Sequence, residues 1–234
     1  AVGNAIGLSR NHLSMNSRRD ADGFGGIIGL DYKPTDTLNF ALKYETPVKL
    51  KFKSKAQENN KMIFRGMPLG ISFFYPEYAD GVHSRRDLPG VLALGVSKDI
   101  NKWTLSGGYT HYFNRTAKMD RFKYDDGYEI NFGADYKINE KFTWHAGFNY
   151  ANTGAKKESF SDVEFAINSQ IYATGITYKP TDASEWKFGI AHVNYNSSNG
   201  KREKTSLPGI YIDKSKVKYD KSINVFTLGY THKF

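Results

Sequence analysis

The stretch NKMIFRGMPLGISFFYPEY, residues 60–78, gathers the side chains best suited to holding an amphiphile: Met62, Ile63, Phe64, Met67, Leu69, Ile71, Phe73 and Phe74, beside the cations Lys61 and Arg65. Rings and flexible thioethers can cradle an acyl chain while a cation meets its carboxylate. An exposed apolar cluster of this size calls for a partner. The same residues can equally pack on themselves or fold into the interior, and the sequence leaves both arrangements open.

Covalent chemistry finds no comparable foothold. Six histidines, at 12, 83, 111, 145, 192 and 232, include no His-x-x-x-His pair, and no Gly-x-Ser-x-Gly elbow occurs. The acidic run DRFKYDDG, residues 120–127, lacks the spacing and final Glu of an EF-hand and reads as a solvated loop. Gly107 and Gly108 fall inside an alternating run, where glycine marks close backbone approach rather than a phosphate cradle. Without cysteine there is neither a disulfide framework nor a Cys-ligated zinc site. No catalytic residue, metal ligand or cofactor is expected.

The elements that position these side chains are strands. In EINFGADYKINEKFTWHAGFNY, residues 129–150, Ile130, Phe132, Ala134 and Tyr136 alternate with Glu129, Asn131, Gly133 and Asp135. Beyond the INEK turn, Phe142, Trp144, Ala146, Phe148 and Tyr150 alternate with Lys141, Thr143, His145, Gly147 and Asn149. A period of two assigns each set to one face of a pleated strand. The pattern recurs near 24–32, 38–52, 92–96, 103–113, 166–178, 186–190 and 225–234, with a weaker run near 1–10, predicting ten strands. Short connectors such as KPTDT, KDINK, INEK and KPTDAS alternate with long ones at 53–87, 115–127, 152–165 and 196–221.

Only 39% of the residues are hydrophobic, while Tyr and Phe each number 16. Nothing approaches the roughly 18 apolar residues of a membrane helix, but a membrane strand needs only about 9–11 and shows lipid every second side chain. Tight turns at one end and long loops at the other match an outer-membrane barrel. The expected fold is therefore all-β, a transmembrane antiparallel meander β-barrel of about ten strands in one domain spanning 1–234. Its apolar face would meet lipid, and Lys43, Glu45, Lys49, Glu129, Asp135, Lys137 and His145 would line the lumen. The soluble alternative is a lipocalin-like barrel with the apolar face inward.

The segment DGFGGIIGLDYKPTDTLNFALKYETPVKLKFK, followed after a long loop by DLPGVLALGVSKDINKWTLSGGYTHYF, resembles the FadL/TodX family of outer-membrane transporters of long-chain fatty acids and hydrocarbons. Tyr44, Pro47, Val48, Lys49, Leu88, Pro89 and Gly90 carry the match, and INEKFTWHAGFNY and the strand ending in Phe234 continue it. The resemblance implies a fourteen-stranded barrel with an N-terminal hatch, to which this chain would contribute the last ten strands. The chain would then be a C-terminal portion or a shortened relative. It also places residues 61–74 where the family has an apolar landing groove in an extracellular loop. The implied function is outer-membrane transport of long-chain fatty acids or other hydrophobic compounds; the alternative is a non-transporting surface barrel (adhesin or phage receptor) or a general porin.

Partners follow from the same reading. Thr227, Gly229, Tyr230 and Phe234 resemble the terminal signal read by the barrel-insertion machinery, with His232 in place of a second aromatic. The opening AVGNAIGL lacks the pattern of a secretory signal, which suits a leader already removed or a chain beginning within a longer protein. A formal charge of +9 points to anions. Arg85, Arg86, Lys156, Lys157, Lys201, Arg202 and Lys204 sit on the long-loop side, where lipid and lipopolysaccharide phosphate are expected rather than nucleic acid.

Overall fold

The computed structural model describes residues 14–59, 61–64, 67–73, 76–120, 122–160, 164–205 and 212–233. Alternating patterns become antiparallel strands. In chain order they are β1 (Ser14–Asp20), β2 (Ile27–Thr35), β3 (Leu38–Glu45), β4 (Lys51–Asn59), β5 (Met62–Phe64), β6 (Met67–Leu69), β7 (His83–Arg85), β8 (Val91–Ile100), β9 (Trp103–Tyr112), β10 (Gly127–Lys137), β11 (Phe142–Asn152), β12 (Ser169–Thr181), β13 (Ser184–Tyr195), β14 (Ser198–Thr205), β15 (Ile212–Tyr219) and β16 (Ser222–His232). Nine form the main sheet in the order β16-β13-β12-β11-β10-β9-β8-β3-β2. Every neighbouring pair is antiparallel, so the meander is as the alternation predicted. The predicted run near 1–10 lies outside the described residues, and among the described residues β2 and β16 are the two edges.

The tight turns have local causes. Asn101 adopts a positive φ of 55°, which asparagine tolerates, between β8 and β9. Asn139 Oδ1 accepts from the backbone N–H of Lys141 and Phe142, both at 2.9 Å, and so closes the β10–β11 turn. The sequence Tyr-Lys-Pro-Thr-Asp occurs twice, and the register shifts at both copies, between Tyr32 and Thr35 and between Tyr178 and Thr181. Pro34 and Pro180 cannot donate to the ladder, so each slips the strand by a bulge.

Two expectations are corrected. The run 38–52 is not one strand: β3 ends at Glu45, Thr46 and Pro47 interrupt it, and Val48 keeps only an isolated bridge to Leu88. Its remainder belongs to β4, in a separate sheet β1-β4-β7. The connectors are not bare loops either. Residues 53–87 hold most of β4, the β5–β6 hairpin, two 3-10 turns and β7, and 196–221 hold the β14–β15 hairpin.

The two faces of the main sheet differ in the sense opposite to a soluble protein. Phe132 is 61% exposed, Ile190 54% and Leu228 67%, whereas Thr177 and Val193 on the other face are 4% and 8% exposed. At roughly 25 cal/mol per Å² of apolar surface, leaving this face in water would forfeit the main force that folds proteins. Lipid removes that conflict. Aromatics border the face at both ends. At the short-turn end Trp103 lies 4.6 Å from Tyr136 and Trp186 4.5 Å from Tyr230 between ring centroids. At the long-loop end Tyr128 neighbours Tyr109 at 6.3 Å and Tyr150 at 6.1 Å. Tyr128 and Tyr136, on one strand, stand roughly 26 Å apart at about 3.3 Å per residue, which fits an apolar band about 25 Å tall between aromatic girdles.

Candidate functional site

The opposite face of the sheet carries the polar groups, and strand register decides which of them meet. Toward the long loops, Lys43 Nζ pairs with Glu45 Oε1 at 2.7 Å. Glu129 Oε1 accepts from the Tyr112 hydroxyl at 3.0 Å, and its Oε2 accepts from Asn149 Nδ2 at 3.1 Å. Toward the short turns, Asp135 stands opposite His145 across β10 and β11. His145 Nδ1 lies 2.7 Å from Asp135 Oδ1, and its Nε2 lies 2.7 Å from Thr177 Oγ1. Lys137 ends β10 beside this group, exposed. Between the two clusters Gly95, Gly108, Gly133, Gly147, Ala173 and Ala191 lie on the same face, so the wall is thin at mid-height.

Six of the seven residues expected in the lumen, Lys43, Glu45, Glu129, Asp135, Lys137 and His145, thus share the polar face. Lys49 does not. It sits between the Val48 bridge and β4, outside the nine-stranded sheet, because Pro47 ends the barrel strand before it. The line Asp135–His145–Thr177 has the order of a carboxylate–imidazole–hydroxyl relay, but Thr177 is 4% exposed within a ladder. Its hydroxyl is spent on His145, which suits a cross-strand brace. Among the described residues no cluster of His, Cys, Asp or Glu suits a metal ion.

The apolar stretch folds into a compact unit. β5 pairs with β6 through Met62↔Leu69, Ile63↔Pro68 and Phe64↔Met67, and a 3-10 turn, Ile71–Phe73, follows. Ile63 is 46% and Phe73 47% exposed, Leu69 and Ile71 are half-buried, and Lys61 is exposed. Met62, Phe64 and Met67 are placed by their backbone, whereas Arg65 and Phe74 lie outside the described residues. What holds the turn has no signal in the local residue pattern. Glu58 Oε1 accepts from the Ser72 backbone N–H at 2.6 Å. Hydrogen bonds from the Ser72 side chain and backbone, aided by the charge of Lys61 and against a smaller effect of burial, hold the Glu58 carboxyl below the usual range. Gly70 leaves room for this carboxylate, since a Cβ there would sit 1.9 Å from Glu58 Oε2.

A second unforeseen centre joins the long connectors. Asp87 Oδ1 accepts from the Leu50 N–H at 3.0 Å and from Arg85 Nε at 3.2 Å, and Oδ2 accepts from the Lys118 N–H at 3.2 Å. Arg85 Nη2 closes the fork on Oδ2. Burial pushes the Asp87 carboxyl up, but the Arg85 hydrogen bond, the two backbone donors and the Arg85 charge outweigh it and hold it below the usual range. Arg86 reaches Glu164 and lies 5.1 Å over the Phe122 ring, tying in the next two loops.

A meander with a lipid-facing apolar surface, two aromatic girdles, a polar inner wall and long loops at one rim defines a transmembrane β-barrel wall of the outer membrane. A family profile described as "Outer membrane protein transport protein (OMPP1/FadL/TodX)" matches residues 1–234, and the chain belongs to that family. It is 24% identical over 193 residues to outer membrane protein P1 of Haemophilus influenzae, covering 80% of this chain and 41% of the relative. A Pseudomonas aeruginosa FadL homologue superposes with a TM-score of 0.67 at 18% identity, covering 89% of this chain and 52% of that one. The Pseudomonas putida toluene transporter TodX gives 0.58 at 16% identity, with 94% and 53% covered. The chain spans about half the length of these solved structures and less of the curated relative.

Proposed function

We propose that this chain supplies strands of a barrel that carries hydrophobic molecules, chiefly long-chain fatty acids, across the outer membrane without covalent chemistry. The observation that supports this best is the β5–β6 unit with its 3-10 turn, an exposed apolar surface outside the membrane sheet, with Lys61 beside it. Such a surface collects a dilute hydrophobic solute before it meets the barrel. The polar wall behind it, small at mid-height and charged at both ends, offers a path rather than a packed core.

A second substrate class is favoured by one comparison. The structurally similar TodX is a toluene transporter, and a monoaromatic hydrocarbon needs no cation. Uptake of labelled oleate and of labelled toluene by cells expressing the full-length gene separates the two, with small sugars as a porin control. Oleate uptake that falls when Ile63 and Phe73 become Ser supports the groove. Sugar flux alone supports a porin, and no flux at all supports a surface receptor. The single domain 1–234, and insertion through Thr227, Gly229 and Tyr230 of β16, belong to the same proposal; Phe234 lies outside the described residues.

A further inference from the structure

Three of the seven cations that the sequence nominates for lipopolysaccharide are paired within the protein. Arg85 is held by Asp87, Arg86 by Glu164, and Lys156 Nζ lies 3.1 Å from Asp125 Oδ1. A run of lysines unpaired among the described residues lies on β4. Along β4, Lys51, Lys53 and Lys55 are exposed, while Phe52, Ser54 and Ala56 alternate with them on the more buried face. Ser54 fixes that assignment: it is 1% exposed, and its Oγ lies 3.1 Å from Ser17 Oγ and 3.3 Å from the Tyr78 carbonyl. The lysines therefore point away from the segment packed beneath the sheet.

Register adds a cation from one neighbour and an imidazole from the other. Arg18 of β1 stands directly opposite Lys55, and His83 of β7 opposite Lys53. Asp20 offsets part of this charge: it stands opposite Lys53 in the register and contacts Arg18 Nε at 3.0 Å. Some lysines elsewhere reach carboxylates: Lys43 meets Glu45, and Lys179 and Lys187 share Glu185 at 2.9 and 2.8 Å. Among the described residues Lys51, Lys53 and Lys55 have no such partner. Like charges facing each other across a ladder repel and weaken a sheet. An anion seated between them reverses the sign of that contribution.

We infer that the exposed lysine face of β4, with Arg18 and His83, is a phosphate-binding surface for lipopolysaccharide of the outer leaflet. β4 starts six residues after β3 ends at Glu45, on the long-loop rim just beyond the Tyr44 level, where phosphates of that glycolipid lie in an outer membrane. Alternate lysines sit about 6.6 Å apart along the strand and neighbouring strands about 4.8 Å apart, so one phosphate can touch two or three ammonium groups. Lysine suits this role as a mobile point charge. The inference rests on the outer-membrane residence of the chain and is independent of what the barrel transports.

The test uses the full-length protein in phosphatidylcholine nanodiscs, titrated with fluorescent lipopolysaccharide at low and high salt and with the same glycolipid after its phosphates are removed. Wild-type protein is expected to bind the phosphorylated form more tightly, with affinity falling steeply as salt rises. Changing Lys51, Lys53 and Lys55 together to Gln should weaken binding by roughly tenfold or more, each decade corresponding to about 1.4 kcal/mol. Changing them to Arg should preserve it. Equal binding of the dephosphorylated glycolipid, or unchanged affinity in the Gln variant, overturns the inference. Heat-modifiable gel mobility reports whether the Gln variant is folded; if it is not, the single change Lys53→Glu decides. Oleate uptake measured on the same variants separates failure of this surface from failure of the transport reading.

Discussion

Arg85 and Asp87 form a forked ion pair in which the carboxylate also receives backbone donors from Leu50 and Lys118. One nearly buried side chain therefore fastens the start of β4, the strand β7 and the loop after β9.

Replacing Asp87 with Asn should cost about 1.5–3 kcal/mol, the range for a hydrogen bond to a charged group, because the amide turns a donor toward Arg85 or Lys118. The acid dependence has a definite sign. The carboxyl is depressed in the folded state, so its contribution is complete above the unfolded value near 4 and disappears as pH falls through the folded one. Limited digestion of the loops should accelerate below about pH 4 in the wild type when read with pepsin, and already at neutral pH in Asp87→Asn when read with trypsin.

Facing can be tested with two substitutions on one strand. Phe132→Arg, on the lipid side of β10, should cost about 2–4 kcal/mol in a bilayer. Asp135→Asn, three residues away on the inner side, should cost much less. Folding into vesicles against urea reads both; equal losses would remove the face assignment.

Gly70→Ala should weaken binding of a hydrophobic probe to the loop surface by roughly tenfold, equivalent to about 1.4 kcal/mol. The added Cβ would collide with the Glu58 carboxylate that seats the Ile71–Phe73 turn. If probe affinity holds while the protein stays folded, Ile71 and Phe73 are not part of the binding surface.

Gly154 has a φ of 68°, and a Cβ there would approach the Asp125 carbonyl oxygen to 2.1 Å. The oxygen is backbone and a Cβ is fixed rigidly to Cα, so nothing can rotate aside. Gly154→Ala should destabilise the junction of the two middle loops by about 1–3 kcal/mol, seen as faster amide exchange at Asp125, whose N–H donates to the Gly154 carbonyl at 2.7 Å.

Strand existence, facing and the alternation of short and long connectors were legible because period two is written directly into residue polarity. Phe132 and Asp135 needed no structure to be assigned to opposite faces. The break at Thr46–Pro47 was less visible, since the alternation of Val48, Leu50 and Phe52 continues across it, and so Lys49 was assigned to the barrel. What escaped depends on pairs distant in sequence. Glu58 with Ser72, Asp87 with Lys118, and Arg86 with Glu164 have no local pattern, because each is created by chain path rather than by neighbouring residues. The pairing of Arg85, Arg86 and Lys156 was hidden for the same reason: charge can be read from a sequence, but its neutralisation cannot.

The turns after β2, β8, β10 and β12 are short, and among the described residues the excursions of more than a few residues leave from the other rim. A phage, an antibody or a host receptor approaching the cell would therefore encounter only that rim. Drift in sequence under such pressure can accumulate there while the staves of the wall keep their register.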